Sequence, residues 1–348
     1  MVSMSALTPG PSHSKPPRMA QHPLIVTDDE ADIRLDRWVR RHFPGVPQSV
    51  IQKLCRTGKI RVEGQRAETA TRLTPGQAVI VPPIADAGAA PKAQPDIDPD
   101  DARDLQRLVI YRDDDVLVIN KPYGLPVQGG PGIKRHLDGM LDALRFGSEH
   151  RPRLVHRLDR DTTGALLLAR TPGIAAKLAA LFRGRDVDKT YWAVVAGRPV
   201  PVEGRIDLPL KRIGGARGER TAPTSRDDPE GVRAVTEYRT LDHAARKLAW
   251  LELKPVTGRT HQLRVHCVAI KAPILGDEKY EEPDQNNAFT ALVQGLSTDL
   301  HLHARRLELP HPGGGRLVVE ADLPPHMRAT FQTLGFHAPP AQPPKRLR

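Results

Sequence analysis

Apolar positions change their period several times along the chain, and each change marks an element. Leu35, Trp38, Val39, His42 and Phe43 recur at i, i+3, i+4, i+7 and i+8, which predicts an amphipathic helix stopped by Pro44-Gly45. A second helix is expected from Pro47, with Val50, Ile51 and Leu54 inward and Gly58 just past its end. Ile60-Arg61-Val62, a Glu63-Gly64 turn and Ala78 to Val81 read as short strands. From Pro82 to about Gln106 the pattern dissolves into Pro and Ala and then Asp, the composition of a flexible linker.

Periodicity resumes with Leu108–Tyr111 and Val116–Asn120, a hairpin signal across Asp113-Asp114-Asp115. Ile174, Leu178, Leu181 and Phe182 predict a helix ending at Gly184. Lys189 to Val195 and Leu248 to Leu253 read as strands, and Thr257 to His266 opens a helix. The Gly/Arg/Asp-rich stretch from Arg212 to Gly231 reads as a mobile basic loop. Strands outnumber helices and follow one another as hairpins, so the fold class is α+β around a mixed, mainly antiparallel sheet. The expected organisation is a disordered tail (1–22), a small module (23–83), a linker (84–106), a large domain (107–336) and a basic Pro-rich tail (337–348).

Charge sharpens this outline. The 348 residues carry a formal net charge of +11 and only 4% aromatics, a balance that favours polyanionic partners, nucleic acid above all. From Ile33 to Val81 ten Lys/Arg face three Asp/Glu, so the small module holds much of the excess. Arg34, Arg37, Lys53, Arg56, Lys59 and Arg61 are its candidate RNA contacts. Two widely separated cysteines make neither a disulfide framework nor a zinc site. No apolar run approaches a membrane span, and the Ser/Pro-rich start lacks the apolar core of a secretory signal. A cytoplasmic protein, acting as a monomer, is the expectation.

The densest chemistry lies in Leu154–Arg170, LVHRLDRDTTGALLLAR, where two short apolar runs bracket a polar loop from His156 to Gly164. Buried flanks that hold a polar loop are a usual way to place catalytic groups. Read alone, the loop is equally a solvated turn whose arginines and aspartates pair with each other. The glycines around Gly129-Gly130-Pro131-Gly132 carry no nucleotide-binding spacing and read as a turn. His261, His266 and Cys267 do not fall on one helical face, so no metal is expected there.

Six segments then occur in order: NKPYG (120–124), HRLDRDTTG (156–164), KTYWAVV (189–195), TGRTHQLRVH (257–266), PILGDEKY (273–280) and LHARRLELPHP (302–312). Together they resemble the RluA-type pseudouridine synthases over nearly all of 108–335. LDRWVRR, IQKLCRTGKIRVEG and LTPGQAVIVPP resemble the S4 RNA-binding domain, as in the ribosomal members of that family. The resemblance implies an isomerase that extrudes uridines of structured large-subunit (23S) ribosomal RNA and rejoins the base through C5, with no metal or organic cofactor. It also implies roles. Asp159 is the catalytic aspartate, Arg264 the arginine paired with it, and Tyr191 the tyrosine that stacks on the base and is a candidate to take the C5 proton. Arg157 fills the vacated RNA stack, while Lys121, Arg259 and His261 meet phosphates or hold the site together. Asp161 is assigned to the loop itself. Two other classes fit the same residues in part: an RNA-binding assembly protein with an idle site, and a base-excising glycosylase, which would release free uracil.

Overall fold

The computed structural model describes residues 23–43, 45–83, 97–130, 132–214, 220–244, 247–280 and 295–347, and the chain divides into two compact units, 1–93 and 94–348. In the first unit β1 (Leu24–Ile25), α1 (Leu35–His42), α2 (Gln48–Arg56), β2 (Arg61–Val62), β3 (Gln65–Arg66) and β4 (Ala78–Ile80) follow in order. The strands pair antiparallel in the order β1-β4-β2-β3. Leu35, Trp38, Val39 and Ile51, the periodic positions of both helices, share one core with Val62, Leu73 and Val79. The buried Glu30 carboxylate accepts the Trp38 indole N–H at 2.8 Å and meets His42 Nε2 at 2.8 Å, which locks α1 to the preceding turn. The expected N-terminal tail and Pro44 lie outside the described residues.

The second unit runs α3 (Pro99–Arg107), β5 (Val109–Arg112), β6 (Val116–Lys121), α4 (Leu137–Met140), β7 (Arg153–Leu154), β8 (Thr163–Ala169), α5 (Pro172–Gly184) and β9 (Asp188–Ala196). It continues with β10 (Glu203–Asp207), β11 (Leu210–Ile213), β12 (Arg220–Pro223), β13 (Val235–Ala244), β14 (Leu248–Pro255) and α6 (Gln262–Ala269). β15 (Leu302–Pro310), β16 (Arg316–Glu320), α7 (Pro325–Leu334) and β17 (Lys345–Leu347) complete it. An 11-stranded sheet has the order β10-β13-β14-β9-β15-β8-β6-β5, with β7 on β8, β16 on β15 and β17 on β16. Its pairings are antiparallel except β8 with β15. The fold class is α+β.

All seven residues of β8 are buried, because it is covered on both faces. Leu166 and Leu168 enter one core with Leu117, Ile119 and Leu141, while Ala165 and Leu167 enter another with Val116, Val118 and Leu178 of α5. Alternation along a strand divides the two layers. The parallel joint sits at the head of this strand, where Gly164 pairs with Ala304. Gly164 has φ +108°, and a Cβ there would lie 2.3 Å from the Ala304 carbonyl oxygen, so only glycine fits. The polar loop of Leu154–Arg170 is thereby held between β7 and β8, as a strand–loop–strand unit.

Three sequence expectations need correction. The linker expected over 84–106 ends early: 84–96 lie outside the described residues, but Pro99–Arg107 is a helix. Asp98 caps it through the Asp100 N–H at 2.8 Å, Pro99 opens it, and Asp100 and Asp101 stand in its first turn. An acidic run suits a helix N-terminus as well as it suits a coil. Leu105 anchors the helix in the core. The stretch 212–231 is not simply a loop, since β11 and β12 form a hairpin and Lys211 ion-pairs with Asp228 at 2.7 Å. The C-terminal tail is also ordered in part: β17 pairs with β16, and Arg346 donates to the carbonyls of Gly313 and Gly314.

Candidate active site

The loop leading into β8, the first half of β9 and the start of α6 border a cavity of about 1060 Å³ in the second unit. Its charged lining comprises eight Lys/Arg and four Asp/Glu. Asp188 pairs with Arg316 at 3.3 Å, Glu237 with Arg205 at 3.2 Å, and Glu308 with Arg306 and Arg316 at 2.7 and 3.0 Å. Asp159 is the exception: among the described residues only the His261 ring comes within ion-pair distance, its Nε2 3.8 Å from Oδ2.

Asp159 sits in a tight turn closed by the Thr162 N–H to its carbonyl at 3.2 Å. Next to it, Asp161 is held by Arg160 at 2.9 Å, and Thr163 Oγ1 is 2.8 Å from His303 Nδ1 in the core. Tyr191 projects from β9 between its register partners Leu253 and Ala304. Burial, reinforced by the Asp159 charge, pushes the Tyr191 phenol pKa up, so the group is held neutral.

α6 opens at His261, which has φ 53° and lies at the rim. The preceding turn is tied by Gln262, whose Oε1 accepts from Thr257 Oγ1 at 2.7 Å and from the Arg259 N–H at 3.0 Å. The Tyr280 hydroxyl accepts the Thr221 N–H at 3.1 Å and lies 2.7 Å from His261 Nδ1. That contact holds the ring with Nε2 towards Asp159. Burial lowers the His261 pKa against the opposing pull of Asp159, so the ring is held neutral.

The expected pairing of Arg264 with Asp159 is not what forms. Arg264 makes a bidentate ion pair with Asp277, Nε to Oδ2 at 2.7 Å and an amino nitrogen to Oδ1 at 2.5 Å. Its guanidinium also stands 5.1 Å from the Tyr280 ring centre. Burial works against the Arg264 charge, but the Asp277 bonds outweigh it and raise its pKa. Arg264 thus meets Asp159 only as a charge acting through space.

Lys121 takes the second of its two expected roles and holds the site together. It is fully buried and cannot meet a phosphate. Its Nζ donates to the carbonyls of Pro122, Leu125 and Arg160 at 2.9, 2.9 and 2.7 Å, which pins the Asp159 loop to the NKPYG turn. Burial pushes its pKa down to about 7, against the pull of Asp161 and Asp159. Arg157 and Arg259 do line the cavity and are exposed, Arg157 making a long 3.4 Å contact with Gln128 Oε1 and Arg259 donating to the Arg233 carbonyl at 3.2 Å.

Of the first-unit candidates, Arg37, Lys53, Arg56, Lys59 and Arg61 are exposed. Arg34 is half-buried and engaged by Asp36 at 2.8 Å, and Arg61 bonds the carbonyls of Gly58 and Gly64. Asp277 and Tyr280 were missed by sequence reasoning, although both stand in the PILGDEKY segment it singled out. His266 is turned away from the cavity, towards Thr236 and Leu208, and Cys267 is buried. Among the described residues no cluster of three His, Cys, Asp or Glu could hold a metal ion, and no helix is long and apolar enough to cross a membrane.

Comparison with known proteins identifies relatives of both units. Residues 115–269 match the RNA pseudouridylate synthase family and residues 33–79 the S4 domain family. The chain is 34% identical over 314 residues to the ribosomal large subunit pseudouridine synthase C of Escherichia coli, covering 89% of this chain and 96% of that protein. It is 32% identical over 375 residues to a mitochondrial RNA pseudouridine synthase of Arabidopsis thaliana, covering 86% and 78%. The solved structure of human RNA pseudouridylate synthase domain containing 4 superposes with a TM-score of 0.59 at 33% identity, over 68% of this chain and 97% of that one.

Proposed function

The chain belongs to the RluA-type RNA pseudouridine synthases, and from that premise we propose that it isomerises uridines of large-subunit (23S) ribosomal RNA, with Asp159 as the carboxylate that acts at C1′. The observation that carries the second part is the contrast among the cavity carboxylates. Asp188, Glu237 and Glu308 are each neutralised by arginine, whereas Asp159 faces the basic cavity with, among the described residues, only the neutral His261 ring within ion-pair distance.

The reaction breaks the N1–C1′ bond, turns the uracil and joins C5 to C1′, and the C5 proton leaves last. As the first bond breaks, the sugar becomes electron-deficient and the base gathers negative charge. An ionised carboxylate at C1′ serves that step as nucleophile, or as base on the sugar. Arg264, locked by Asp277, supplies a positive field that needs no rearrangement during the reaction. The ring of Tyr191 offers a flat face to the base. Its phenol, held neutral, takes the C5 proton only by passing on its own in the same step.

A uridine in folded RNA is extruded at a cost of a few kcal/mol before it reaches such a cavity. Exposed Arg157, beside the loop, is positioned to fill the gap, and Arg259 to meet the backbone. The S4 unit adds phosphate contacts. Ribosomal RNA as the substrate is supported by the similarity to the E. coli enzyme and by that unit. No cofactor enters this chemistry, and a monomer suffices for it.

The test is release of tritium from ribosomal RNA labelled at uracil C5. The wild type should release it without freeing uracil, and Asp159→Asn should bind the RNA and release none. Free uracil would instead indicate a glycosylase, and binding without release by the wild type an idle site.

A further inference from the structure

Lys189 is a cation in the cavity that the proposed chemistry leaves unused. It is half-buried, and among the described residues its Nζ has neither a hydrogen-bond acceptor nor a carboxylate within ion-pair distance. The nearby acids are already engaged: Asp188 holds Arg316, and Glu308 holds Arg306 and Arg316. On its other side stands His156, whose Nε2 accepts the Leu167 N–H at 2.9 Å and whose pKa burial drives down to about 3, helped by the Lys189 charge. A neutral ring cannot serve as counter-ion. Burial without a partner lowers the Lys189 pKa as well, with only Asp188 opposing.

Position gives this charge a use. Lys189 and Tyr191 are two apart on β9, so both side chains leave the same face of the strand, about 6.7 Å apart along it. Thr190, between them, is buried on the opposite face. Nζ reaches across to Gly258, in the turn before α6, and stands 3.9 Å from where a Cβ would be. Gly258 brings no side chain to that point, and both residues line the cavity. A base lying on Tyr191 carries its own backbone phosphates one sugar away, and one of the two must pass this point.

We propose that Lys189 binds a backbone phosphate flanking the extruded uridine, and so sets how far the nucleotide enters the cavity. The inference rests on the proposed function, since it needs a uridine on Tyr191. Arg157, Arg183, Arg185 and Arg259 line the same cavity, but each is exposed and suited to longer stretches of RNA. Lys189 is recessed and reaches only a nucleotide that has left the helix.

The experiment is ethylation interference. Large-subunit ribosomal RNA, ethylated at random on its phosphates, is offered to the full-length wild type, Lys189→Gln and Lys189→Arg, and converted molecules are mapped. For the wild type, ethylation of one phosphate beside each converted uridine should block conversion. For Lys189→Gln that interference should vanish while the more distant ones stay, with KM raised about ten- to a hundredfold, the usual effect of losing a charge-assisted hydrogen bond. Lys189→Arg should restore both. Identical maps for wild type and Lys189→Gln overturn the assignment, as does a Lys189→Gln enzyme that loses only kcat while its flanking interference persists. A wild type that converts no uridine removes the functional reading and this one with it, so the two failures are distinguishable.

Discussion

Arg264 and Asp277 form a buried bidentate ion pair, the guanidinium 8% and the carboxylate 1% exposed. Neither charge has water to fall back on, so each depends on the other. Asp277→Asn keeps the shape and removes the charge. It should destabilise the second unit by about 3–5 kcal/mol, the usual penalty for stranding a buried ion. Urea unfolding followed through Trp192 and Trp250 measures it; a change below about 0.5 kcal/mol would mean that Arg264 finds another partner.

Acid should unfold this unit early. His301 and His303 are buried, His156 is half-buried, and all three are held neutral, with pKa values pushed down by desolvation to about 4, 4 and 3. In the unfolded chain they protonate near the ordinary histidine value, about 6.5. Between those limits the unfolded state binds more protons, so stability falls as pH falls. It is fully present above about 6.5 and lost towards about 4, with a slope approaching 4 kcal/mol per pH unit when all three contribute. A urea midpoint that stays level from pH ~7 to pH ~5 would contradict this.

Gly164→Ala should be among the most damaging single-methyl changes in the chain. The added carbon meets backbone at Ala304, and backbone in a sheet centre cannot step aside. The loss should reach about 3 kcal/mol or more, against roughly 1 kcal/mol for an ordinary glycine–alanine exchange. Activity should fall further than stability, because the displaced joint carries the Asp159 loop. A well-folded, fully active Gly164→Ala would remove the β8–β15 contact as the anchor of that loop.

Much of this was legible in the sequence, and the limits are physical. Apolar period located both helices of the small unit, the β5–β6 hairpin, α5 and β9, because burial of one face writes itself locally. Short motifs brought Asp159, Tyr191, His261 and Arg264 to one cavity. What stayed hidden was partner choice. Arg264 has two carboxylates near it, and only the path of the turn after α6 decides for Asp277. Lys121 reads equally as a phosphate contact or as a brace for the site until three carbonyls are seen around its Nζ. The acidic run at Asp98–Asp101 fits a linker and a helix start equally, and Leu105, the residue that decides, is a single apolar position.

Tyr191 separates ring from hydroxyl. Tyr191→Phe keeps the stacking face and should hold RNA within a few-fold of the wild type. If the phenol takes the C5 proton, tritium release should slow by about 10²- to 10⁴-fold, the range of a lost general base. Tyr191→Leu should lose the stacking as well, a further ~1–3 kcal/mol. Release by Tyr191→Phe at the wild-type rate would leave the ring as the whole contribution.

The small unit permits a prediction that distinguishes among its own arginines and lysines. Arg37, Lys53, Arg56 and Lys59 are exposed and have no ion-pair partner among the described residues, whereas Arg34 is held by Asp36, whose side chain is 10% exposed. A charge already neutralised releases few counter-ions when RNA arrives; a free one releases its share. Replacing the four free cations by glutamine should therefore weaken RNA binding and flatten its dependence on log salt by roughly 0.7–0.9 for each that meets a phosphate, about 3 in all. Arg34→Gln should leave that slope nearly unchanged and instead destabilise the small unit, because the Asp36 carboxylate loses its cationic partner. Binding isotherms across a salt series, run beside unfolding of each variant, separate the two effects. An equal loss of slope from Arg34→Gln alone would show that Asp36 releases the guanidinium to the RNA, and that the ion pair is a resting arrangement rather than a structural one.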